Sequence, residues 1–212
     1  MIKQYADFNS TMRAYPDALT RDTCKDIIEV FEKNKEAWRA GETLSGIVPD
    51  IKMTHDLCCH ESPDLLYAEE IFTKVSNEHV EQFLYSWPHQ DKWDPTCMFG
   101  SGTHYPYWQI QKYDKNRGHY NAWHTEEPYY KGTAHRLFVC CFYLNDVEEG
   151  GHTEFLYSDL KIQPKAGTFV IFPAGWPWIH RGGMPISNHK YFSTTWLCAD
   201  WGPIEDTEGR DV

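Results

Sequence analysis

The chain has 212 residues, 41% hydrophobic and 24% charged, a composition that suits one ordinary globular domain and excludes disordered or collagen-like polymers. Twenty Lys and Arg against 31 Asp and Glu give a net charge of −11, and no basic patch overrides it, so nucleic acid is not an expected partner. No run approaches the ~18 apolar residues of a membrane span, and seven cysteines, with adjacent pairs at Cys58-Cys59 and Cys140-Cys141, suit a reducing cytoplasm better than a disulfide framework.

Cys24, Ile27, Ile28 and Phe31 recur at i, i+3, i+4 and i+7, which predicts an amphipathic helix from Thr20 to about Trp38, with Gly41 just beyond it. Ser62-Pro63 reads as an N-cap followed by an N1 proline. Leu66, Ile71, Phe72, Val75, Val80, Phe83 and Leu84 then continue at helical spacing, with a break expected near Asn77. Residues 1–93 are thus expected to be mainly helical.

After Trp93 the pattern changes. Tyr105 to Tyr113, Arg136 to Asn145, Thr168 to Phe172 and Lys190 to Leu197 are rich in aromatic and β-branched residues and bounded by Gly, Pro and Asn, which predicts strands. With no helical pattern between them, they point to an antiparallel sandwich or jelly roll over 94–200, followed by an acidic tail at 201–212. The expected class is α+β, mainly β, in a single domain. No internal repeat or low-complexity segment interrupts it.

His124-Thr125-Glu126 is the first candidate for chemistry, because side chains at i and i+2 of a strand point the same way and can meet one metal. Alone, such a triplet arises readily by chance in a chain with eleven His and 31 acidic residues. Its context is more specific. Arg136-Leu-Phe-Val-Cys-Cys-Phe-Tyr-Leu-Asn145 follows, then Val147-Glu-Glu-Gly-Gly-His-Thr-Glu-Phe155, Pro164, Gly167-Thr-Phe-Val-Ile-Phe172, His180, and Lys190 before Thr195-Trp196.

In that order, from about Trp108 to Leu197, the chain resembles the Fe(II)- and 2-oxoglutarate-dependent dioxygenases, and among them the prolyl 4-hydroxylase branch. The resemblance implies a double-stranded β-helix (jelly-roll) core with the N-terminal helices packed on one sheet. It also implies Fe(2+), 2-oxoglutarate and O2, with ascorbate as an accessory reductant. Two neutral imidazoles and one carboxylate leave the opposite side of a metal open for a 2-oxo acid and dioxygen, and here they are His124, Glu126 and His180. Lys190, ten residues after His180, is the implied cation for the far carboxylate of 2-oxoglutarate, with Tyr113 and Thr153 beside it. Arg136 and Trp196 match positions on the substrate side.

The chain departs from the family pattern in three places. The carboxylate is Glu126 where Asp is usual. The segment from Tyr113 to His124 is longer by about two residues, which leaves Tyr120 as an alternative to Tyr113. Cys198 stands where some relatives carry a substrate-side His. The implied reaction is hydroxylation of a prolyl residue in a peptide or protein, with decarboxylation of 2-oxoglutarate to succinate. The alternatives are the same chemistry on a free amino acid or other small molecule, and a jelly roll that binds metal and 2-oxoglutarate without turnover. Glu126 disfavours halogenation, which needs a small residue there.

Gly150-Gly151 reads as a tight interstrand turn, and Pro173 to Pro177 as a loop leading to His180. His55-Asp-Leu-Cys-Cys-His60 holds zinc-type residues but lacks the usual two-residue gap and any second half-site, and is read as structural. No Gly-rich phosphate loop, Gly-x-Ser-x-Gly elbow or His-Glu-x-x-His helix is present, which removes support for kinase and hydrolase classes.

Overall fold

The computed structural model describes residues 11–86, 92, 96–127 and 135–200; the first ten residues, Trp93, Pro128 and the acidic tail lie outside these. After a short strand, β1 (Arg13–Tyr15), helix α1 (Arg21–Lys33) forms where the spacing predicts it and buries Cys24, Ile27 and Phe31. Thr20 caps it, its Oγ1 accepting from the Thr23 amide at 3.1 Å. The helix ends before Trp38. Asn34 returns its side-chain amide to the Val30 carbonyl at 2.9 Å, a 3-10 turn follows over Lys35–Ala37, and Trp38 folds back to stack on Phe31 with ring centroids 4.8 Å apart.

Strands β2 (Arg39–Ala40), β3 (Lys52–Met53) and β4 (His55–Cys58) come next. Together with β1 they give the first third more sheet than its helical spacing suggests. Each is too short to display the alternation by which a strand is recognised. Pro63–Leu65 forms a 3-10 turn leading into α2 (Leu66–Tyr85). Ser62 does not cap the turn; its Oγ donates to Asn34 Oδ1 at 3.0 Å. The break expected near Asn77 is absent, because Ala68, Phe72, Ser76, Val80 and Phe83 form one continuous buried face while Asn77 lies on the exposed one.

The remainder comprises a short helix α3 (Thr96–Phe99) and strands β5 (Thr103–His104), β6 (Gln109–Tyr113), β7 (His119–His124), β8 (His135–Tyr143), β9 (Thr153–Phe155), β10 (Lys161–Ile162), β11 (Thr168–Pro173), β12 (His180–Gly182) and β13 (Lys190–Ala199). The four predicted strands are β6, β8, β11 and β13, the first beginning at Gln109 rather than Tyr105. Pairing is antiparallel in both sheets: β1-β11-β8-β13-β6-β4-β2 with β5 added on β13, and β10-β9-β12-β7-β3. Eight of these strands, β6 to β13, make the expected double-stranded β-helix.

Strand β8 shows why its sequence is apolar throughout. Phe138, Cys140 and Phe142 pack outward against Ile27, Phe31, Phe72 and Phe83 of the helices. Val139, Cys141 and Tyr143 point inward, with Val170, Phe172 and Trp178. A strand covered on both faces loses the alternation of apolar and polar residues, and its adjacent cysteines part company. The described cysteines outside α3 are free thiols. Gly150 turns with φ +71°, and a Cβ there would meet the Met184 carbonyl oxygen at 2.2 Å, so the turn requires glycine. No helix among the described residues is long and apolar enough to cross a membrane.

Candidate active site

His124 ends β7 and His180 begins β12, and the two are direct partners in the antiparallel register. Their rings lie 4.4 Å apart between centroids. Glu126 is not on the strand, as the i, i+2 argument supposes, but in the bend after it, where its amide donates to the Ala174 carbonyl at 2.9 Å. That tether and the extra methylene of Glu bring Oε1 to 3.2 Å from His124 Nε2 and 3.8 Å from His180 Nε2.

Both imidazoles are oriented from behind. His124 Nδ1 donates to the Ala122 carbonyl at 2.9 Å and His180 Nδ1 to the Trp178 carbonyl at 3.0 Å, which places the proton on Nδ1 and leaves Nε2 as a lone-pair donor. Burial pushes His180 down to about 4, so its ring is neutral. For Glu126, burial raises the pKa, but the hydrogen-bonding contact with His124 and the electrostatic influence of the two rings and of Arg136 outweigh it and hold the carboxyl at about 2. Two imidazoles and one carboxylate, with donor atoms within 4.8 Å of one another, fit a divalent iron with open positions. Among the described residues this is the only such group of three, so His55, Cys58, Cys59 and His60 do not form a second one.

The outer oxygen of Glu126 is held as well. Trp196 Nε1 donates to Oε2 at 3.1 Å, and Arg136 Nη1 lies 3.5 Å from the same oxygen while donating to the Glu126 carbonyl at 3.1 Å. The Arg136 guanidinium lies 3.4 Å from the centroid of the Trp196 indole. Arg136 and Trp196, expected on the substrate side, are seen here to steady the Glu126 carboxylate. Cys198 is buried in the inner core next to them and does not line the cavity.

The triad opens into a cavity of about 460 Å³. Lys190, 1% exposed, lines it from the start of β13, directly across the register from Tyr113. Its Nζ sits 4.8 Å from the Tyr113 ring centroid, 4.9 Å from Phe192 and 5.4 Å from Tyr143. Burial lowers its pKa to about 8. No carboxylate pairs with it among the described residues. Thr153 shares a hydrogen bond with the Tyr143 hydroxyl at 2.7 Å. Tyr120 stacks on the His124 ring with centroids 3.8 Å apart, so it is Tyr113 whose ring abuts Lys190. Arg181 faces away, bound to Glu154 Oε2 at 2.9 and 2.8 Å.

Polar residues to which the sequence reading gave no role at the site also line the cavity, among them Lys52, Asp56, Gln109 and Gln111. Tyr143 is another. Its inward position follows from the parity of β8, the one signal available for it; Lys52 and Asp56 come from β3 and β4, for which the sequence offers none.

Residues 108–198 match the 2OG-Fe(II) oxygenase superfamily. Among solved structures, the chain is similar to the viral collagen prolyl hydroxylase of Paramecium bursaria Chlorella virus-1 in its 2OG complex, at 18% identity over 89% of this chain and 96% of that one, with a TM-score of 0.61. A prolyl-4-hydroxylase of Pseudomonas putida is similar at 13% identity, over 89% and 92% of the two chains, with a TM-score of 0.61. The prolyl hydroxylase of Trichoplax adhaerens, in complex with a peptide fragment of the hypoxia inducible factor oxygen degradation domain, is similar at 14% identity over 90% and 84%, with a TM-score of 0.65. At these identities the likeness is one of fold. No curated protein sequence matches the chain significantly.

Proposed function

Because residues 108–198 match the 2OG-Fe(II) oxygenase superfamily, we propose that this protein is an Fe(II)- and 2-oxoglutarate-dependent dioxygenase that hydroxylates a prolyl residue in a peptide or protein. In that reaction iron, 2-oxoglutarate and O2 supply the oxidation of a C–H bond to C–OH, while 2-oxoglutarate becomes succinate and CO2. His124, Glu126 and His180 hold the metal. Lys190 binds the distal carboxylate, and Tyr113, Tyr143 and Thr153 shape that end of the cavity. Arg136 and Trp196 fix the far oxygen of Glu126 and line the path by which substrate reaches the metal.

The single observation that carries the cofactor assignment is Lys190: a cation 1% exposed, ringed by three aromatic side chains, in the same cavity as a metal-type triad and with no protein carboxylate to meet it. A buried ammonium without a counter-ion is costly, and the dianionic cofactor removes the cost.

Succinate release from 2-oxoglutarate under Fe(II), with and without ascorbate and a panel of proline-containing peptides, tests the proposal. The expected result is slow succinate formation alone and faster formation with a hydroxylated peptide. His124→Ala is expected to abolish both and to remove bound iron, measured by metal analysis. A His124→Ala protein that still couples 2-oxoglutarate decay to oxidation means that the triad is misassigned. Glu126→Asp, one methylene shorter and of equal charge, should weaken iron binding and lose the Trp196 contact.

A further inference from the structure

Three residues share the inward face of β6, Gln109, Gln111 and Tyr113, and their side chains are joined head to tail. Tyr113 Oη donates to Gln111 Oε1 at 3.0 Å, and Gln111 Nε2 donates to Gln109 Oε1 at 2.7 Å. The row ends at Gln109 Nε2, whose one partner among the described residues is the Cys58 thiol, 3.9 Å away. A thiol is a weak acceptor and an amide nitrogen carries two hydrogens, so the row ends in an under-used donor. Burial lessens along the same line: Tyr113 is 3% and Gln111 5% exposed, whereas Gln109 is only half-buried. That exposure is toward the cavity, which Gln109 lines, because Ile110 closes the outer face against the helices and β4 and β13 flank the strand.

The direction of the row is set at its buried end. A phenol has one proton to give, and burial keeps that of Tyr113 in place by raising its pKa well above the ordinary 10. Reversing both amides would leave this proton without an acceptor among the described residues, on a ring that already faces the Lys190 ammonium. The cofactor has another donor to draw on: Tyr143 and Thr153 share one hydrogen bond, so one of their two protons stays free for a carboxylate at Lys190. Each amide is therefore bound through its oxygen, and Gln109 turns N–H groups to the cavity. Its place along the cavity matters too. Lys190 lies across from Tyr113, Phe192 from Gln111 and Thr194 from Gln109, with Trp196 the next inward residue of β13. Because Trp196 donates to Glu126, Gln109 sits between the buried cation and the carboxylate of the triad.

We infer that Gln109 is a substrate-binding residue that donates an N–H to a backbone carbonyl of the substrate, with Gln111 and Tyr113 as positioning residues that keep that N–H turned to the cavity. The inference rests on the prolyl reading above and deepens it. A prolyl residue inside a peptide has no N–H, so its backbone can be gripped only through carbonyl oxygens, its own and that of the residue before it. Trp196 Nε1 and Arg136 Nη1 are engaged with Glu126, and Lys52 with Asp56, whereas the Gln109 amide has only a thiol. A wall that ended in a carbonyl would instead select residues with an N–H and disfavour proline.

The test uses the full chain loaded with Fe(II) and 2-oxoglutarate, and capped peptides with one internal proline. In the peptide that couples best, sulfur replaces one carbonyl oxygen at a time, on the proline and on the residue before it, since a thiocarbonyl is the poorer acceptor. KM and kcat are read from succinate formation above the substrate-free rate. Sulfur at one of the two positions is expected to raise KM roughly three- to tenfold with little change in kcat, as for loss of a neutral hydrogen bond. Gln109→Met, which keeps the length and removes the donor, should raise KM for the oxygen peptide by a similar factor, and in that variant the same sulfur should have no further effect. Gln109→Glu, which keeps the shape and replaces the donor with an acceptor, should raise KM more than Gln109→Met does. Gln111→Glu still accepts from Tyr113 but cannot donate to Gln109; it should raise KM with kcat nearly unchanged and blunt the effect of sulfur. The sulfur series on the unmutated chain stands even if a variant folds poorly. A sulfur effect absent at both positions, or undiminished in Gln109→Met, overturns the inference and leaves the prolyl reading standing. Coupling by no capped peptide, while 2-oxoglutarate still decays to succinate, removes the prolyl reading itself and the inference with it.

Discussion

Two lysines are buried in one cavity, and the protein treats them in opposite ways. Lys52 has Asp56 at 2.8 Å and a backbone carbonyl beside it, so its charge is answered within the fold. Lys190 has three aromatic rings and no carboxylate, and burial holds its pKa well below the ordinary lysine value, at about 8. Ring faces give an ammonium some stabilisation, but less than a carboxylate gives in the same surroundings. Burial alone therefore says little about function. A paired buried cation belongs to the architecture, whereas an unpaired one suits the role proposed for Lys190, that of meeting an anion from outside.

The sharpest way to break this contrast is to replace each lysine with methionine, which keeps most of the volume and removes the charge. Lys52→Met strands Asp56 with neither oxygen partnered by a side chain. Breaking a buried pair by removing one member costs about 3–5 kcal/mol, so Tm is expected to fall by roughly 6–20 °C for a chain of this size. Lys190→Met is expected to move Tm the other way, because it relieves desolvation without stranding a partner, by on the order of 1–3 kcal/mol. Thermal unfolding of both variants without added 2-oxoglutarate decides it. If Lys190→Met is as destabilising as Lys52→Met, then Lys190 is a structural residue and the contrast fails.

Cofactor affinity sharpens the same comparison. A charged hydrogen bond contributes about 1.5–3 kcal/mol, so Lys190→Ala should raise the 2-oxoglutarate requirement roughly ten- to hundredfold or more while leaving iron content nearly unchanged. Lys190→Arg should be partly tolerated. Anaerobic titration of the iron-loaded protein measures both effects. Unchanged affinity in Lys190→Ala would hand the role to Arg136, since Arg181 is engaged with Glu154 outside the cavity.

How much of this was legible beforehand follows from the range over which each signal acts. Strands β8 and β13 announce themselves because each is long and apolar or β-branched, and the order His124, Glu126, His180, Lys190 survives as a one-dimensional pattern. The strand argument for Glu126 misplaces it, since β7 ends at His124 and a long-range tether to Ala174 positions the carboxylate. Lys52 carries no readable signal, and Asp56 lies in the His55–His60 segment that reads as structural. They lie far from the rest of the motif in a stretch whose spacing suggests no strand, and only the crossing between sheets at Thr54 brings them to the cavity. Tyr143 falls between these cases: its strand is evident, its role beside Lys190 is not, because both faces of β8 are apolar.

The smallest effect expected is a pH dependence, and it runs in opposite senses for the two properties of Lys190. In the unfolded chain the ammonium keeps its proton to about pH 10.5, whereas in the folded protein it loses it near 8. Between those values the unfolded state binds more protons, so this residue's contribution to stability rises with pH through that window, by at most about 1.4 kcal/mol per unit. Below about 8 the full penalty of the buried charge is present. The proposed binding of 2-oxoglutarate by Lys190 requires the charged form, so its affinity is expected to be highest below about 8 and to fall by up to about tenfold per unit above it. The empty protein thus gains stability over the interval in which it loses cofactor, and the same interval should be flat in Lys190→Met for both readouts. Parallel melting curves and anaerobic 2-oxoglutarate titrations from pH 7 to 10 check this. A wild-type affinity that holds constant to the top of that range would show Lys190 keeping an ordinary lysine pKa, and so being as well answered within the fold as Lys52.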